Sequence, residues 1–207
     1  GTPENIRKFH PNIIVSSTGS APLLPPIAGL KDRIDNENHN IYSILGMISH
    51  INDFPKDLEG KKVVVVGGGA VGLDVVEFFA DRNADISIVE MMDQIGRDLD
   101  PVSKNDTKTM MKKHNVHQLT KTALLEVKDS SFLVRGDGEP YELPFEYGFV
   151  CLGMRAQGQL YQNLTEEFSS EDVEIMNIGD SQRARRIIDG TQEGRNILTV
   201  LEQKGYL

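Results

Sequence analysis

Residues 63–74 have the sequence "VVVVGGGAVGLD", and the order of structure around them indicates the architecture of the chain. Four consecutive valines predict a strand over 63–68 that is covered on both faces, as in a parallel sheet. Apolar residues at helical spacing follow over 69–83, and the alternating segment "ADISIVE" predicts a second strand over 84–90. Strand, glycine turn, helix and strand in this order form one βαβ unit.

The glycines of this stretch follow the pattern G-x-G-x-x-G at Gly67, Gly69 and Gly72. The first permits a sharp turn, the second lets a pyrophosphate approach the backbone, and the third lets the helix pack closely on the sheet. Free N–H groups in the first helical turn attract phosphate. Glu90 ends the second strand, where a carboxylate accepts hydrogen bonds from ribose hydroxyls and repels a 2′-phosphate. The pattern therefore predicts NAD(H) rather than NADP(H).

The cofactor-binding residues predicted at this turn are Gly67, Gly68, Gly69, Ala70, Val71, Gly72, Glu90 and Met91. A simpler interpretation also fits them: a glycine turn that serves packing alone, with Glu90 as a strand-end charge and Met91 as loop packing. No side chain of the chain is predicted to act as a catalytic acid, base or nucleophile.

The remaining elements complete an α/β fold, predicted as a Rossmann-like parallel sheet with helices on both faces and an antiparallel β-meander. Residues 123–145 contain three short apolar runs separated by "KDSS" and "DGEP", which is typical of the meander. Further strands are predicted over 12–17, 147–153 and 173–180. Further helices are predicted over 41–51, from Asp100 and Pro101 to about His114, and over 183–203.

Composition restricts the function classes. Of 207 residues, 39% are hydrophobic, and the net charge of −9 argues against nucleic acid or anionic membrane as a main partner. A single cysteine, Cys151, excludes an intrachain disulfide or a cysteine-ligated cluster, and we expect a buried, inert thiol. His114 and His117 have no third ligand nearby in sequence, so no metal site is predicted. The single cysteine and the absence of an apolar signal core in the first residues together lead us to expect a cytoplasmic, reducing setting.

Four segments resemble the flavoproteins that have two dinucleotide-binding domains, the pyridine nucleotide-disulfide oxidoreductase-like enzymes. "VVVVGGGAVGLDVVEFFADRNADISIVEM" is similar to their NADH-binding domain, and "IIVSSTGSAPLLPPIAGL" to the segment that links the FAD and NAD halves. "FVCLGMRAQ" resembles the return crossover, and "IMNIGDSQRARRIIDGTQEG" the Gly-Asp segment that meets FAD. The combination of "VEM", "GMR" and "GDSQRARRIIDGTQEG" within them is most similar to the C-terminal region of 2-enoate reductases and 2,4-dienoyl-CoA reductases. Small departures are Ser17, Asp74 and Ser181, where relatives usually have Ala, often Glu and often Cys.

The resemblance implies three parts: a partial FAD-domain segment and linker at 1–52, an NAD(H)-binding domain at 53–152, and a return segment of the FAD domain at 153–207. It implies cofactor contacts for Thr18, Gly19, Gly153, Gly179 and Asp180. Asp180 would accept hydrogen bonds from the ribityl hydroxyls of FAD, with residues 181–183 starting a helix aimed at its pyrophosphate; alternatively, Asp180 is the N-cap of the last helix. The FAD-binding glycine loop, and the barrel that carries FMN and an iron–sulfur cluster, are expected in other parts of a longer chain.

The expected function is an electron-entry module. NADH would bind at the glycine turn and pass hydride to FAD, with onward reduction of an enoate or enoyl-CoA, and the isolated chain would bind NAD(H) without turnover. One alternative is a stand-alone NAD(H)-binding sensor or assembly subunit without redox activity. A disulfide reductase is disfavoured because the chain has no cysteine pair.

Overall fold

The computed structural model describes residues 1–206, which form two compact units. We call residues 22–153 the central unit, and residues 1–21 together with 154–206 the flanking unit. The helices are α1 (Pro3–Arg7), α2 (Leu30–Arg33), α3 (Ile44–Ser49), α4 (Ala70–Ala80), α5 (Pro101–Lys113), α6 (Gln159–Glu167) and α7 (Ile187–Gln203). The strands are β1 (Ile13–Ser16), β2 (Ser20–Pro22), β3 (Ile41–Tyr42), β4 (Lys62–Val66), β5 (Asp85–Val89), β6 (His117–Leu119), β7 (Ala123–Val127), β8 (Ser131–Arg135), β9 (Tyr141–Pro144), β10 (Tyr147–Val150), β11 (Met154–Ala156) and β12 (Glu174–Asn177).

The central unit is built on a five-stranded sheet in the order β3-β10-β4-β5-β6, in which every pair is parallel. Its middle strand, β4, carries the four valines, and each valine is at most 3% exposed. The prediction of a strand covered on both faces is therefore confirmed. An antiparallel sheet, β7-β8-β9, forms the predicted meander.

The two faces of the parallel sheet are covered differently. On one face, α3, α4 and α5 contribute Met47, Phe79 and Met111 to a core that includes Val63 and Val65. On the other face, the main cover comes from the meander and the single-turn helix α2. Helices therefore lie on both faces, as predicted, although the second face has only the short α2 and is covered mainly by the meander, which presents a buried apolar side of its own.

The flanking unit has a smaller core. Strands β1 and β12 pair in parallel, and Leu164 of α6 is buried with the C-cap residue Phe168 in a cluster that includes Ile14. Helix α7 buries one residue, Leu201, while Ile187 is 91% exposed and Leu198 is 67% exposed. The spacing of apolar residues predicts one buried side of α7. In the described residues 1–206, much of that side is exposed to solvent.

Two helix predictions differ from the structure at their N-terminal ends. The predicted helix over 41–51 starts as the short strand β3, and α3 begins only after Ser43, whose hydroxyl accepts a hydrogen bond from Gly46 N. The predicted helix over 183–203 begins at Ile187, because Gly179–Ser181 form a 3₁₀ turn and Arg186 occupies the N-cap position. Strand β6 and helix α6 were not predicted at all.

Residues 22–52 lie in the central unit, whereas the sequence assigned them to the FAD-domain segment and linker. The physical reason is apolar burial. Leu30 and Ile41 are fully buried in one core cluster of this unit, and Met47 is 4% exposed in the other. At the other end, the central unit stops at Gly153, one residue beyond the predicted limit of the NAD(H)-binding domain.

Candidate functional site: a cleft at the carboxyl edge of the parallel sheet

A cleft of about 610 Å³ opens at the carboxyl edge of the parallel sheet. Its floor comes from the ends of β4, β5 and β10, because the residues that follow parallel strands meet at one edge of the sheet. The chain runs from β4 outward to β5 and β6 on one side, while β10 and β3 lie on the other. Ligands of open α/β sheets bind at such a switch in strand order, and this volume is typical of small-molecule sites.

Most residues predicted at the glycine turn line this cleft. They are Gly67, Gly69, Ala70, Val71, Glu90 and Met91, and Gly153 joins them from the segment that follows β10. Gly72 is buried within α4 and does not line the cleft, and neither does Gly68, whose N–H donates a hydrogen bond to Glu90. The residues that sequence reasoning placed near one cofactor are thus close together in the central unit.

The three glycines of the pattern differ in what the protein itself requires of them. Gly67 has a φ of +109°, and a Cβ there would lie 2.1 Å from the carbonyl oxygen of Cys151. A Cβ on Gly72 would lie 1.9 Å from the carbonyl oxygen of Gly67. Gly69 has an ordinary extended backbone, with φ −79° and ψ 179°, and its Cβ would meet no atom within 4 Å. Packing therefore explains the first and third glycines and leaves the second unexplained.

Gly69 is also the N-cap residue of α4, and it offers no side-chain hydrogen bond to the helix. Serine, aspartate and asparagine are preferred to glycine at this position, because their side chains satisfy the free N–H groups of the first turn. The first turn of α4 contains no acidic residue that would compete for an anion. The helix thus presents uncapped N–H groups and the positive end of its dipole at the cleft.

Glu90 is held in place by the loops around it. One carboxylate oxygen accepts a hydrogen bond from Gly68 N at 2.7 Å, and the other accepts one from Met92 N at 2.7 Å. Each carboxylate oxygen has a second lone pair, so the side chain remains able to accept hydrogen bonds from a ligand. Glu90 is thus a hydrogen-bond acceptor with a fixed orientation at the cleft wall. An ordinary charge at the end of a strand, the alternative interpretation, would not need these two hydrogen bonds.

Ten residues of the cleft were not among the predicted site residues. Four of them end or directly follow the strands of the floor: Val66, Val89, Cys151 and Leu152. The other six come from elsewhere in the central unit: Pro25, Ile27, Asp98, Thr122, Ala123 and Leu124. Thr122 and its neighbours follow β6, a strand of only three residues whose apolar pattern is too short to recognise. Had β6 been recognised, the residues after it would have been expected at the same sheet edge. Pro25 and Ile27 reach the cleft only through tertiary packing, and the sequence contains no signal for it.

Cys151 directly follows β10, where its carbonyl faces Gly67, and the residue is 8% exposed. Burial, with a smaller contribution from the negative charge of Asp74, raises the pKa of the Cys151 thiol to about 12. A neutral thiol is a weak nucleophile, so the expectation of an inert cysteine agrees with this environment. Residues 1–206 contain no cluster of three histidine, cysteine or acidic side chains suited to a metal ion.

The residues proposed to meet FAD lie in the flanking unit. Asp180 accepts hydrogen bonds from the Ser20 hydroxyl at 3.1 Å and from Arg185 N at 3.1 Å, so it joins two segments instead of capping α7. Thr18 donates to the carbonyl of Gln157. Gly19 and Gly179 have φ values of +73° and +67°, with open space where a Cβ would lie. Two open glycines beside an acidic acceptor are compatible with a bound dinucleotide.

Comparison with known proteins identifies one family over most of the chain. The family described as pyridine nucleotide-disulphide oxidoreductase matches residues 5–176. An NADH oxidase of Thermoanaerobacter brockii is 26% identical over 92% of this chain, and a metal reductase of Desulforamulus reducens is 26% identical over 94%. The chain spans only 28% and 32% of these two relatives.

A solved structure shows the same fold. A 2-naphthoyl-CoA reductase complex superposes with a TM-score of 0.76 at 21% identity, covering 94% of this chain and 27% of that protein. At this identity the match carries information about the fold alone. Within residues 1–206, no helix combines the length and the apolar character needed to cross a bilayer.

Proposed function

This chain belongs to the pyridine nucleotide-disulphide oxidoreductase family, and from that premise we propose that its central unit binds NADH and orients it for hydride transfer to a flavin. The relatives are oxidoreductases that include an NADH oxidase, which supports an NAD(H)-dependent redox role. The proposed site is the cleft at the carboxyl edge of the parallel sheet. The pyrophosphate would lie against Gly69 and the first turn of α4, and the adenosine ribose against Glu90.

The observation that carries the proposal is Gly69. Neither the backbone angle nor any neighbouring atom requires glycine there, and a better helix cap is chemically available. A ligand whose phosphates contact the backbone does require it, because any Cβ would occupy the space of the phosphate oxygens. The other two glycines would be needed in a purely structural turn as well, so they carry less information about a ligand.

Glu90 supports the choice of NADH over NADPH. Its two backbone hydrogen bonds fix the carboxylate before a ligand arrives, so little side-chain ordering would be needed on binding. The remaining lone pairs would accept the ribose hydroxyls, and the negative charge would repel a 2′-phosphate. Met91, 68% exposed at the cleft wall, would offer apolar contact to the nucleotide.

The flavin part of the proposal concerns the longer protein to which the relatives correspond. FAD, when bound, would supply the acceptor for the hydride. Thr18, Gly19, Gly179 and Asp180 would hold part of it, together with a glycine loop from another part of such a protein, and a barrel elsewhere in that protein would carry FMN and an iron–sulfur cluster. An enoate or enoyl-CoA as final acceptor and a cytoplasmic location belong to the same proposal. The acceptor is supported by the sequence resemblance of "VEM" at 89–91, "GMR" at 153–155 and "GDSQRARRIIDGTQEG" at 179–194. The chain of residues 1–207 alone would bind NADH without turnover.

The experiment is calorimetric titration of the 207-residue chain with NADH, comparing wild type with Gly69→Ser. We expect binding by the wild type in the micromolar to millimolar range and a loss of about tenfold to hundredfold in the variant, because the hydroxymethyl group occupies the phosphate position. Thermal unfolding should be unchanged or slightly higher, since serine is the better N-cap.

The matched control is Gly138→Ser, which places the same side chain on another open glycine, in the loop between β8 and β9 and away from the cleft. It should bind NADH as the wild type does. Two results would refute the proposal: a wild type that does not bind NADH at millimolar concentration, or a Gly69→Ser variant that binds as tightly as the control.

A further inference from the structure

The segment 93–99 is held against the glycine turn by a backbone hydrogen bond. Gly96 N donates a 2.7 Å hydrogen bond to the carbonyl of Gly68. Gly96 makes this contact with a left-handed backbone, at a φ of +66°. Ile95 and Leu99 pack on the core cluster of the helical face. With both flanks anchored, the side chains between them have defined positions beside the proposed nucleotide site.

Three side chains of this segment, Gln94, Arg97 and Asp98, place charged and hydrogen-bonding groups in one hollow. A hollow of about 200 Å³, the side hollow, shares Gly69, Glu90 and Asp98 with the cleft and is completed in part by Gln94 and Arg97. Asp98 therefore borders both spaces, as Glu90 does. Among residues 1–206, no ion pair or side-chain hydrogen bond involves Arg97 or Asp98. Both charges are thus available to a ligand.

We propose that Asp98 is a second specificity-determining carboxylate, which together with Glu90 excludes a 2′-phosphorylated dinucleotide and offsets the attraction of Arg97. This inference rests on the proposed function, because it assumes that the adenosine ribose lies at Glu90. A 2′-phosphate would project from the ribose past Glu90 and would carry up to about two negative charges. The side hollow is the space beside Glu90 that is bordered by both Asp98 and Arg97.

The balance of charges in the side hollow decides which dinucleotide is accepted. Glu90 and Asp98 contribute two negative charges and Arg97 one positive charge, so the hollow is net negative toward a phosphate. Neutralising either carboxylate should improve NADPH binding by about tenfold, as expected for charges a few ångströms apart in partly screened surroundings. Arg97 would then become a phosphate ligand, for which the guanidinium geometry is well suited.

The test measures the dissociation constants of NADH and NADPH by calorimetry for the 207-residue chain. We expect Asp98→Asn to lower the ratio of the NADPH constant to the NADH constant about tenfold, while the NADH constant changes by no more than about twofold. Asp93→Asn is the matched control, because it removes the same charge from the same segment but lines neither space. Its ratio should equal that of the wild type.

Adding Glu90→Gln to Asp98→Asn should lower the ratio further, to about a hundredfold below wild type. Adding Arg97→Gln to that double variant should weaken NADPH binding again by about tenfold and leave NADH unaffected. The Asp98 effect should shrink in 0.5 M salt, since it acts through charge.

An Asp98→Asn ratio equal to that of Asp93→Asn would overturn the inference, as would an effect that persists unchanged in high salt. Failure of the wild type to bind NADH at all would instead overturn the proposed function. The two failures are thus distinguished in one series of titrations.

Discussion

The central and flanking units show how much a parallel sheet depends on cover. In the central unit, five parallel strands have helices on one face and the meander on the other, and β4 is buried throughout. In the flanking unit, two parallel strands have one small cluster of Ile14, Leu164 and Phe168, and α7 exposes Ile187 almost completely. Parallel sheets are stable when both faces are buried. We therefore expect the central unit to hold most of the stability of the chain, and the flanking unit to be the less stable part.

The largest expected effect tests this difference with one substitution in each unit. Phe79→Ala empties a fully buried site in the central core and should cost about 3–5 kcal/mol of unfolding free energy. Phe168→Ala makes the same change in the flanking unit, where the ring is 2% exposed. Hydrogen exchange with peptide resolution should show loss of protection in β4 and β5 for the first variant and in α6 for the second. Equal loss of protection in β4 and β5 for both variants would mean that the units unfold as one.

A smaller effect compares two glycines with left-handed backbones. Gly67→Ala in the central unit combines an unfavourable φ with overlap against Cys151, and should cost about 2–5 kcal/mol. Gly19→Ala in the flanking unit has a similarly positive φ but open space around its Cβ, so about 1 kcal/mol is expected. Urea denaturation followed by circular dichroism measures both values. A Gly67→Ala variant as stable as Gly19→Ala would contradict the close approach to Cys151.

The smallest effect per step concerns the pH dependence of stability, and it uses Cys151, the single thiol of the chain, as a reporter of the central unit. Its folded-state pKa is raised, so its contribution to stability is complete below the ordinary thiol pKa and is lost as the pH rises toward about 12. Relative to Cys151→Ala, the wild type should lose up to about 1.4 kcal/mol per pH unit above pH 9. The check is the difference between their urea midpoints at pH 8, 9, 10 and 11. A difference that stays constant with pH would show that the thiol is not shielded from water.

Much of the central unit was predictable because its signals are local. The valine run, the glycine pattern and Glu90 lie within 28 consecutive positions, 63–90, and each residue type reflects a requirement of its own neighbourhood. Asp100 as N-cap of α5 is another local signal, and it accepts hydrogen bonds from Val102 N and Ser103 N as expected. Strand β6 was missed because three residues contain too little pattern to be distinguished from a loop.

Other features depend on residues distant in sequence, so no short window contains them. Asp98 lines the side hollow because a backbone hydrogen bond from Gly96 to Gly68 holds its segment there. Pro25 lines the cleft although it belongs to a segment that was predicted to be part of another domain. Asp180, considered as a helix cap, instead accepts a hydrogen bond from Ser20 across 160 positions of chain.

The amino-acid sequence alone was sufficient to predict the βαβ unit, the glycine turn and the position of Glu90 at the end of the second strand. Backbone angles, helix ends and strand burial depend on residues that are near neighbours in the sequence. It was not sufficient to show that neither backbone angle nor packing requires glycine at position 69, or which face of the sheet the meander covers. Nor did it show that Asp98 and Glu90 line the same hollow. Those facts depend on packing between distant segments, which is a property of the folded chain and not of any stretch within it.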